Sequence, residues 1–364
     1  MDATGDAGAT HMVPKLYIGN YQSNDVSAFT IEADGALTPT PGSPFSTGPD
    51  SAPFGMAVSP DAKRLYVSNS GTDSLAVFAI ADDGALIPVG DPVPTGGEPW
   101  GVAVGPDGHH VYTANIKSNN LTVYAIADDG TLAPVPGSPF ATGLGARSVV
   151  PSPDGKYVYV TNTGPLGPAG NDCMLACPPA NTVSAYAVRA DGALKELGGS
   201  PFPAGVGAHG ASITPDGRHF YVANLLEGSV SGYTVGGDGA LTPMPNSPYQ
   251  ITGHSTAITP NGSYLYVSDP SGSVSGFAVA SDGTLTQVAG SPYPTLGDSD
   301  TTFGVAVTPD GRYLYVNNYK QSGASGIAAF SIASDGSLTS ISGSPFKAGT
   351  GSIAIVITPG RPRK

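Results

Sequence analysis

A chain of 364 residues with 40% hydrophobic side chains can bury a sizeable core, yet only 12% of it is charged, so its surface is built from Ser, Thr, Asn, Gly and Pro rather than from ion pairs. A net charge of −13 with no basic stripe argues against nucleic acid and anionic membranes as partners, since few cations are available to neutralise phosphates. The 35 prolines exclude long helices.

From the start of the chain, Met1 to Thr10 is small and polar and lacks the apolar centre of a signal peptide. His11-Met12 reads as a cloning junction, so a natural leader is expected to have been removed. Residues 13–360 are expected to form a single domain, and 361–364 a solvated tail. No run is apolar and long enough to span a bilayer as a helix.

The tyrosines Tyr17, Tyr66, Tyr112, Tyr159, Tyr221, Tyr266 and Tyr315 recur at spacings of 45 to 49 residues, with one gap of 62. That period is the length of a four-stranded propeller blade, roughly 40–50 residues. Each repeat reads as four strands. Strand A is short and rich in small residues, as in Gly101-Val-Ala-Val104. A Pro-Asp-Gly turn leads to strand B, such as Tyr157-Val-Tyr-Val160, whose β-branched and aromatic content suits burial on both faces. Strand C alternates, as in Asn120-Leu-Thr-Val-Tyr124. An Asp-Gly turn, from Asp34-Gly35 to Asp335-Gly336, then opens strand D, which ends in a Gly-Ser-Pro-Phe phrase such as Gly137 to Phe140.

The chain enters at a B strand, Lys15-Leu-Tyr-Ile18, and leaves with a spare A strand, Ile353 to Ile357. That strand can complete the first blade and close the ring, which protects the edges of an all-β fold. The expectation is an all-β, seven-bladed propeller of four-stranded antiparallel blades. The long fourth repeat puts its extra residues, about Gly164 to Ala180, in a B–C loop. This loop shares a face with the D–A connections, where loops can build a site at the pore mouth. The insertion carries both cysteines, Cys173 and Cys177, which read either as a loop-stapling disulfide or as two free thiols; a pair alone cannot make a tetrahedral zinc site. The disulfide would fit an exported protein, secreted or periplasmic, with the cytoplasm as the alternative.

The phrase Tyr-Val-x-Asn beside Thr/Ser-Pro-Asp-Gly, with Asp-Gly-x-Leu and Gly-Ser-Pro-Phe, resembles the seven-bladed propeller lactonases with Tyr-Val-Thr-Asn repeats. Those include 6-phosphogluconolactonase-type hydrolases and carboxymuconate cycloisomerases. The resemblance runs from about Lys15 to Pro359. It implies a site at the mouth of the central pore that uses His, Arg and acidic side chains.

Aligning the residues just before strand A assigns one mouth position to each repeat: Phe54, Trp100, Arg147, His209, His254, Phe303 and Ser352. The aromatics Phe54, Trp100 and Phe303 would make an apolar wall against a small substrate. On the other side, His209 and His254 are candidate proton-transfer groups and Arg147 a carboxylate or oxyanion holder. Glu98, two residues before Trp100, is expected to reach in and orient a histidine, and Lys320 to contribute from a B–C loop, with Lys117 as a further cation. The bland alternative is that these side chains fill the pore and hold ordered water. So few cations disfavour a sugar phosphate; a neutral or carboxylated lactone is easier to accept.

The Asn residues ending strand B (Asn20, Asn69, Asn115, Asn162, Asn224 and Asn318, with Asp269) could ligate a cation but read as caps bonded to backbone. No Gly-x-Ser-x-Gly elbow or Walker loop is present. Taken together, the reading is an enzyme that opens or forms a lactone, or carries out a related cyclisation, as a monomer acting on a small molecule without metal or cofactor. The alternative is a non-catalytic binding or scaffold propeller.

Overall fold

The computed structural model describes residues 13–164, 181–295, 301–320 and 323–359. Seven antiparallel sheets follow one another as the repeats predict. Blade 1 pairs strand A at the end of the chain, Ser352–Ile357, with strand B at its start, Lys15–Asn20. Blades 2 to 7 begin with A strands at Pro53–Val58, Pro99–Val104, Ala146–Pro151, Ala208–Ile213, Ser255–Ile258 and Thr301–Val307. The cysteines and most of the insertion, residues 165–180, lie outside the described residues.

Strand D differs from the single edge strand expected. In blade 1 it is broken into Leu37–Pro39 and Phe45–Ser46, which pair with opposite ends of strand C. The Gly-Ser-Pro phrase spans the break. There the serine hydroxyl takes over the bond that the missing backbone would make: Ala28 N–H donates to Ser43 Oγ at 2.9 Å and Val123 N–H to Ser138 Oγ at 2.9 Å. The serine of the phrase therefore satisfies an otherwise orphaned mid-strand donor.

In five of the seven blades the hydroxyl of the repeated strand B tyrosine ties the blade to the next. Tyr159 Oη donates to Gly239 O at 2.9 Å, Tyr266 Oη to Gly336 O at 2.8 Å, and Tyr315 Oη to Gly35 O at 2.7 Å, the last across the ring closure. The acceptor is the glycine of the Asp-Gly turn. At Gly336, φ is +81° and an added Cβ would lie 2.3 Å from the Tyr264 ring, so both the conformation and the packing require glycine. Side chains from neighbouring blades share the apolar clusters. Leu16, Ile18 and Phe29 of blade 1 pack with Tyr313 and Tyr315 of blade 7.

These buried phenols make stability depend on alkaline pH. Burial pushes Tyr66, Tyr186 and Tyr233 up to about 12, and Tyr17, Tyr112, Tyr159, Tyr221, Tyr266 and Tyr315 higher still. An unfolded tyrosine ionises near pH ~10. Above that pH the folded state holds more protons than the unfolded one. The stabilisation is therefore complete below about pH 10 and is lost as pH rises toward the folded values. Phenolate absorbance and loss of β-sheet circular dichroism should appear together, in one transition above pH ~10. Gradual ionisation of these tyrosines in an intact fold would refute this.

Candidate active site at the pore mouth

The A strands converge on the axis, and glycine makes the approach possible. A Cβ on Gly55 would lie 1.9 Å from Trp100 O, and one on Gly101 2.3 Å from Arg147 O. Just before these glycines the A–B ladder slips. The register shifts between Pro53 and Met56, Ala146 and Val149, Ala208 and Ala211, and Thr302 and Val305. Such bulges re-aim side chains, and the residues they re-aim are Phe54, Arg147, His209 and Phe303.

A repeated hydroxyl in strand B holds the bulges in place. Thr161 Oγ1 accepts Ser148 N–H at 3.1 Å and donates to the carbonyl of His209, one blade on, at 2.6 Å. Ser268 does the same between Ser255 N–H (3.1 Å) and Phe303 O (2.6 Å), and Ser68 between Gly55 N–H (2.8 Å) and Trp100 O (3.2 Å). In blades 2, 4 and 6 the variable letter of Tyr-Val-x-Asn thus anchors the mouth residue of the following blade, Trp100, His209 and Phe303.

Phe54, Trp100, Arg147, His209, His254 and Phe303 all line one cavity of about 220 Å³. They form two contacting groups, Phe54 with Trp100 and Arg147, and His209 with His254 and Phe303. The Phe54 and Trp100 rings stack at 4.2 Å, and the Arg147 guanidinium lies over Trp100 at 4.4 Å. The His209 and His254 rings are 5.4 Å apart, and His254 stacks on Phe303 at 4.7 Å. Each stacked pair contributes about 0.5–1.5 kcal/mol beyond area burial, so the collar is preorganised. His209 and Arg147 are buried.

The seventh position requires a correction. Ile353, not Ser352, lines the cavity. Ser352 pairs with Asn20 as Pro53 pairs with Asn69, and its hydroxyl donates to Asn20 Oδ1 at 2.8 Å. The Gly349-x-Gly351-x-Ile353 pattern matches Gly143-x-Gly145-x-Arg147 and carries the correct register.

Two expected members are not brought to the cavity. The Glu98 carboxylate sits 3.4 Å from Lys117 Nζ, outside the lining, and so is not placed to orient a histidine. Its φ of +50° breaks the extended alternation that would have put it on the same face as Trp100. Lys320 does not line the cavity either; its backbone N–H donates to Ser325 Oγ at 3.2 Å.

The partner expected of Glu98 is supplied by the backbone. His254 Nδ1 is 2.6 Å from Thr302 O. A carbonyl only accepts, so Nδ1 carries the proton, and in the neutral ring Nε2 is the acceptor nitrogen.

Several contributors were not anticipated. Tyr21 packs edge-on against Phe54 at 6.2 Å, and Tyr319 against Phe303 at 5.5 Å, with Gln22 Nε2 donating to Tyr319 Oη at 3.2 Å. Ser148 and Ser255 also line the cavity, one residue after Arg147 and His254. Blades 2, 3, 5 and 7 have glycine there, and that contrast is the signal that could have found them. The Asn residues ending strand B bond mainly to strand-C hydroxyls rather than to backbone. Asn162 Nδ2, for example, donates to Thr182 Oγ1 at 3.0 Å and Ser184 Oγ at 2.9 Å. Among the described residues no three His, Cys, Asp or Glu side chains cluster to hold a metal ion, and no helix is long and apolar enough to cross a membrane.

Known structures share this architecture. A candidate 6-phosphogluconolactonase from Bacteroides uniformis superposes with a TM-score of 0.76 at 21% identity, covering 94% of this chain and 99% of its own. The periplasmic gluconolactonase PpgL of Pseudomonas aeruginosa gives 0.73 at 19% identity, over 95% and 99%. Virginiamycin B lyase from Staphylococcus aureus is more distant, at 0.55 and 15% identity over 83% and 87%. At these identities the likeness establishes the fold alone. No curated protein matches the sequence. The model of the lactonase family, described as a 7-bladed β-propeller, matches residues 16–141, 164–299 and 208–350. Seven closed blades and a family match over most of the chain agree, and the protein belongs to the seven-bladed β-propeller lactonase family.

Proposed function

We propose that the pore mouth opens a small neutral or carboxylated lactone by hydrolysis, or forms one in the reverse direction. The observation that carries this reading is that Arg147, His209 and His254 line one cavity, the two imidazoles 5.4 Å apart, with the His254 tautomer set by Thr302 O. In the hydrolytic direction, His254 Nε2 takes a proton from water as its oxygen bonds to the lactone carbonyl carbon. Arg147, whose cation is held over Trp100, stabilises the oxyanion. The ring C–O bond then breaks, and the alkoxide takes the proton from the imidazolium directly or through His209, leaving a hydroxy acid. The cations near the mouth are too few to favour a phosphorylated substrate, since Lys117 is engaged by Glu98. The names of the gluconolactonase-like neighbours support the lactone class.

The test is acid release, followed by pH-stat, on a panel of neutral and carboxylated lactones. Turnover is expected with at least one class, and Arg147→Ala should lower kcat/KM by about 10²-fold, as loss of one oxyanion donor does. A panel that remains at the uncatalysed rate would leave the binding or scaffold reading in its place.

A further inference from the structure

The cavity behind the collar is divided by polarity, and we infer that it selects lactones with a hydrocarbon ring edge over polyhydroxylated ones. The inference rests on the pore-mouth reading above and deepens it. On the side of blades 4 and 6, Ser148 and Ser255 present hydroxyls. Neither hydroxyl bonds another described residue, whereas the backbone of each serine is pinned by Thr161 or Ser268. The rest of the ring, blades 7, 1, 2 and 3, contributes the aliphatic side chains Val305, Ile353, Ile355, Met56 and Val102. A space of about 220 Å³ accepts a five- or six-membered ring with a short substituent.

Such a ring can turn its ester edge toward the two serines and its carbon edge toward the aliphatic wall. A sugar lactone carries hydroxyls around the ring, and those facing Val102 and Ile355 would lose their hydrogen bonds to water without replacement. A hydrophobic wall rejects a single added hydroxyl by up to about 10²-fold, so several should give at least that. Ser148 and Ser255 then act as specificity residues that fix which edge is presented.

The experiment compares δ-valerolactone and a γ-alkyl butyrolactone with glucono-δ-lactone, each kcat/KM being taken relative to the uncatalysed rate. The wild type, Ser148→Gly and Ser255→Gly are measured. Glycine already stands at this position in four other blades, so both variants should fold with an unchanged unfolding temperature. The alkyl lactones are expected to be preferred by about 10²-fold. Each glycine variant should lower their kcat/KM by about tenfold, the loss of one hydrogen bond. Equal or better opening of glucono-δ-lactone overturns the inference while leaving lactone opening intact. Full activity of both folded glycine variants overturns it as well. If no lactone is opened, the pore-mouth reading falls, and this inference with it.

Discussion

Replacing His254 by Ala is expected to lower lactone turnover by about 10²–10⁴-fold, the usual contribution of a positioned general base. The effect should exceed that of His209→Ala. The two imidazoles lie side by side, but their surroundings differ. In His254 the Nδ1 proton is committed to Thr302 O, which leaves Nε2 as the basic nitrogen. The Thr302 carbonyl is fixed in turn: Thr302 lies in strand A of blade 7, and its Oγ1 donates to Asp269 O at 2.6 Å. The His254 backbone is held by its own N–H donating to Ser268 O at 2.8 Å, and the ring lies on Phe303. Substitution removes one ring from a stack without disturbing this ladder, so the unfolding temperature should change little while kcat falls. His254→Gln provides a control, because its amide can still donate to Thr302 O but offers no basic nitrogen; it should be as inactive as the alanine variant. If His254→Gln keeps near-normal kcat, His254 is not the base, and its place in the collar is structural.

How far the site was legible follows from what the repeat measures. The tyrosine spacing counts residues along extended backbone, and wherever the chain stays extended between the ruler and the mouth the count lands correctly. Phe54, Arg147, His209 and Phe303 are reached in this way, because the bulge adds one residue at the same place in each of these four blades. Glu98 was misread because the residue two before the mouth position turns into the left-handed region. Ala52 and Glu98 do so at φ +48° and +50°, and Gly145, Gly207 and Gly351 at about +70°. Ser352 was misread by one residue because that blade is joined from the two chain ends and its A strand had no following B strand to align. The Thr302 carbonyl could not be found at all, since a backbone acceptor leaves no letter in the sequence. The fold itself was legible because every blade repeats the same strand B tyrosine and Asp-Gly turn, and every blade but the second the Ser-Pro phrase.

Truncation before Ser352 should abolish cooperative folding, whereas removal of residues 360–364 alone should leave it unchanged. The closing strand joins two clusters. Ile355 and Ile357 pack with Leu16, Ile18 and Tyr315, while Ala354 and Val356 pack with Tyr17, Met56 and Val67. Burial of a full aliphatic side chain stabilises by about 1.5–3 kcal/mol. Losing four such partly buried residues removes on the order of 5 kcal/mol, comparable with the whole stability of an ordinary domain. It also exposes Lys15–Asn20, an entirely buried strand, as a sheet edge open to aggregation. A circular permutant separates closure from mere chain length. Thr358 N–H donates to Lys15 O at 2.9 Å and Thr358 Oγ1 accepts Lys15 N–H at 2.9 Å. These are the bonds that close the A–B turn elsewhere, as between Thr308 and Tyr313. Blade 1 is thus an ordinary hairpin cut at its turn. Moving residues 350–359 ahead of Lys15 through a Thr-Pro-Asp-Gly-type turn should restore a single unfolding transition near that of the wild type. A truncated chain that still unfolds cooperatively at the same temperature would show that the ring does not depend on this strand.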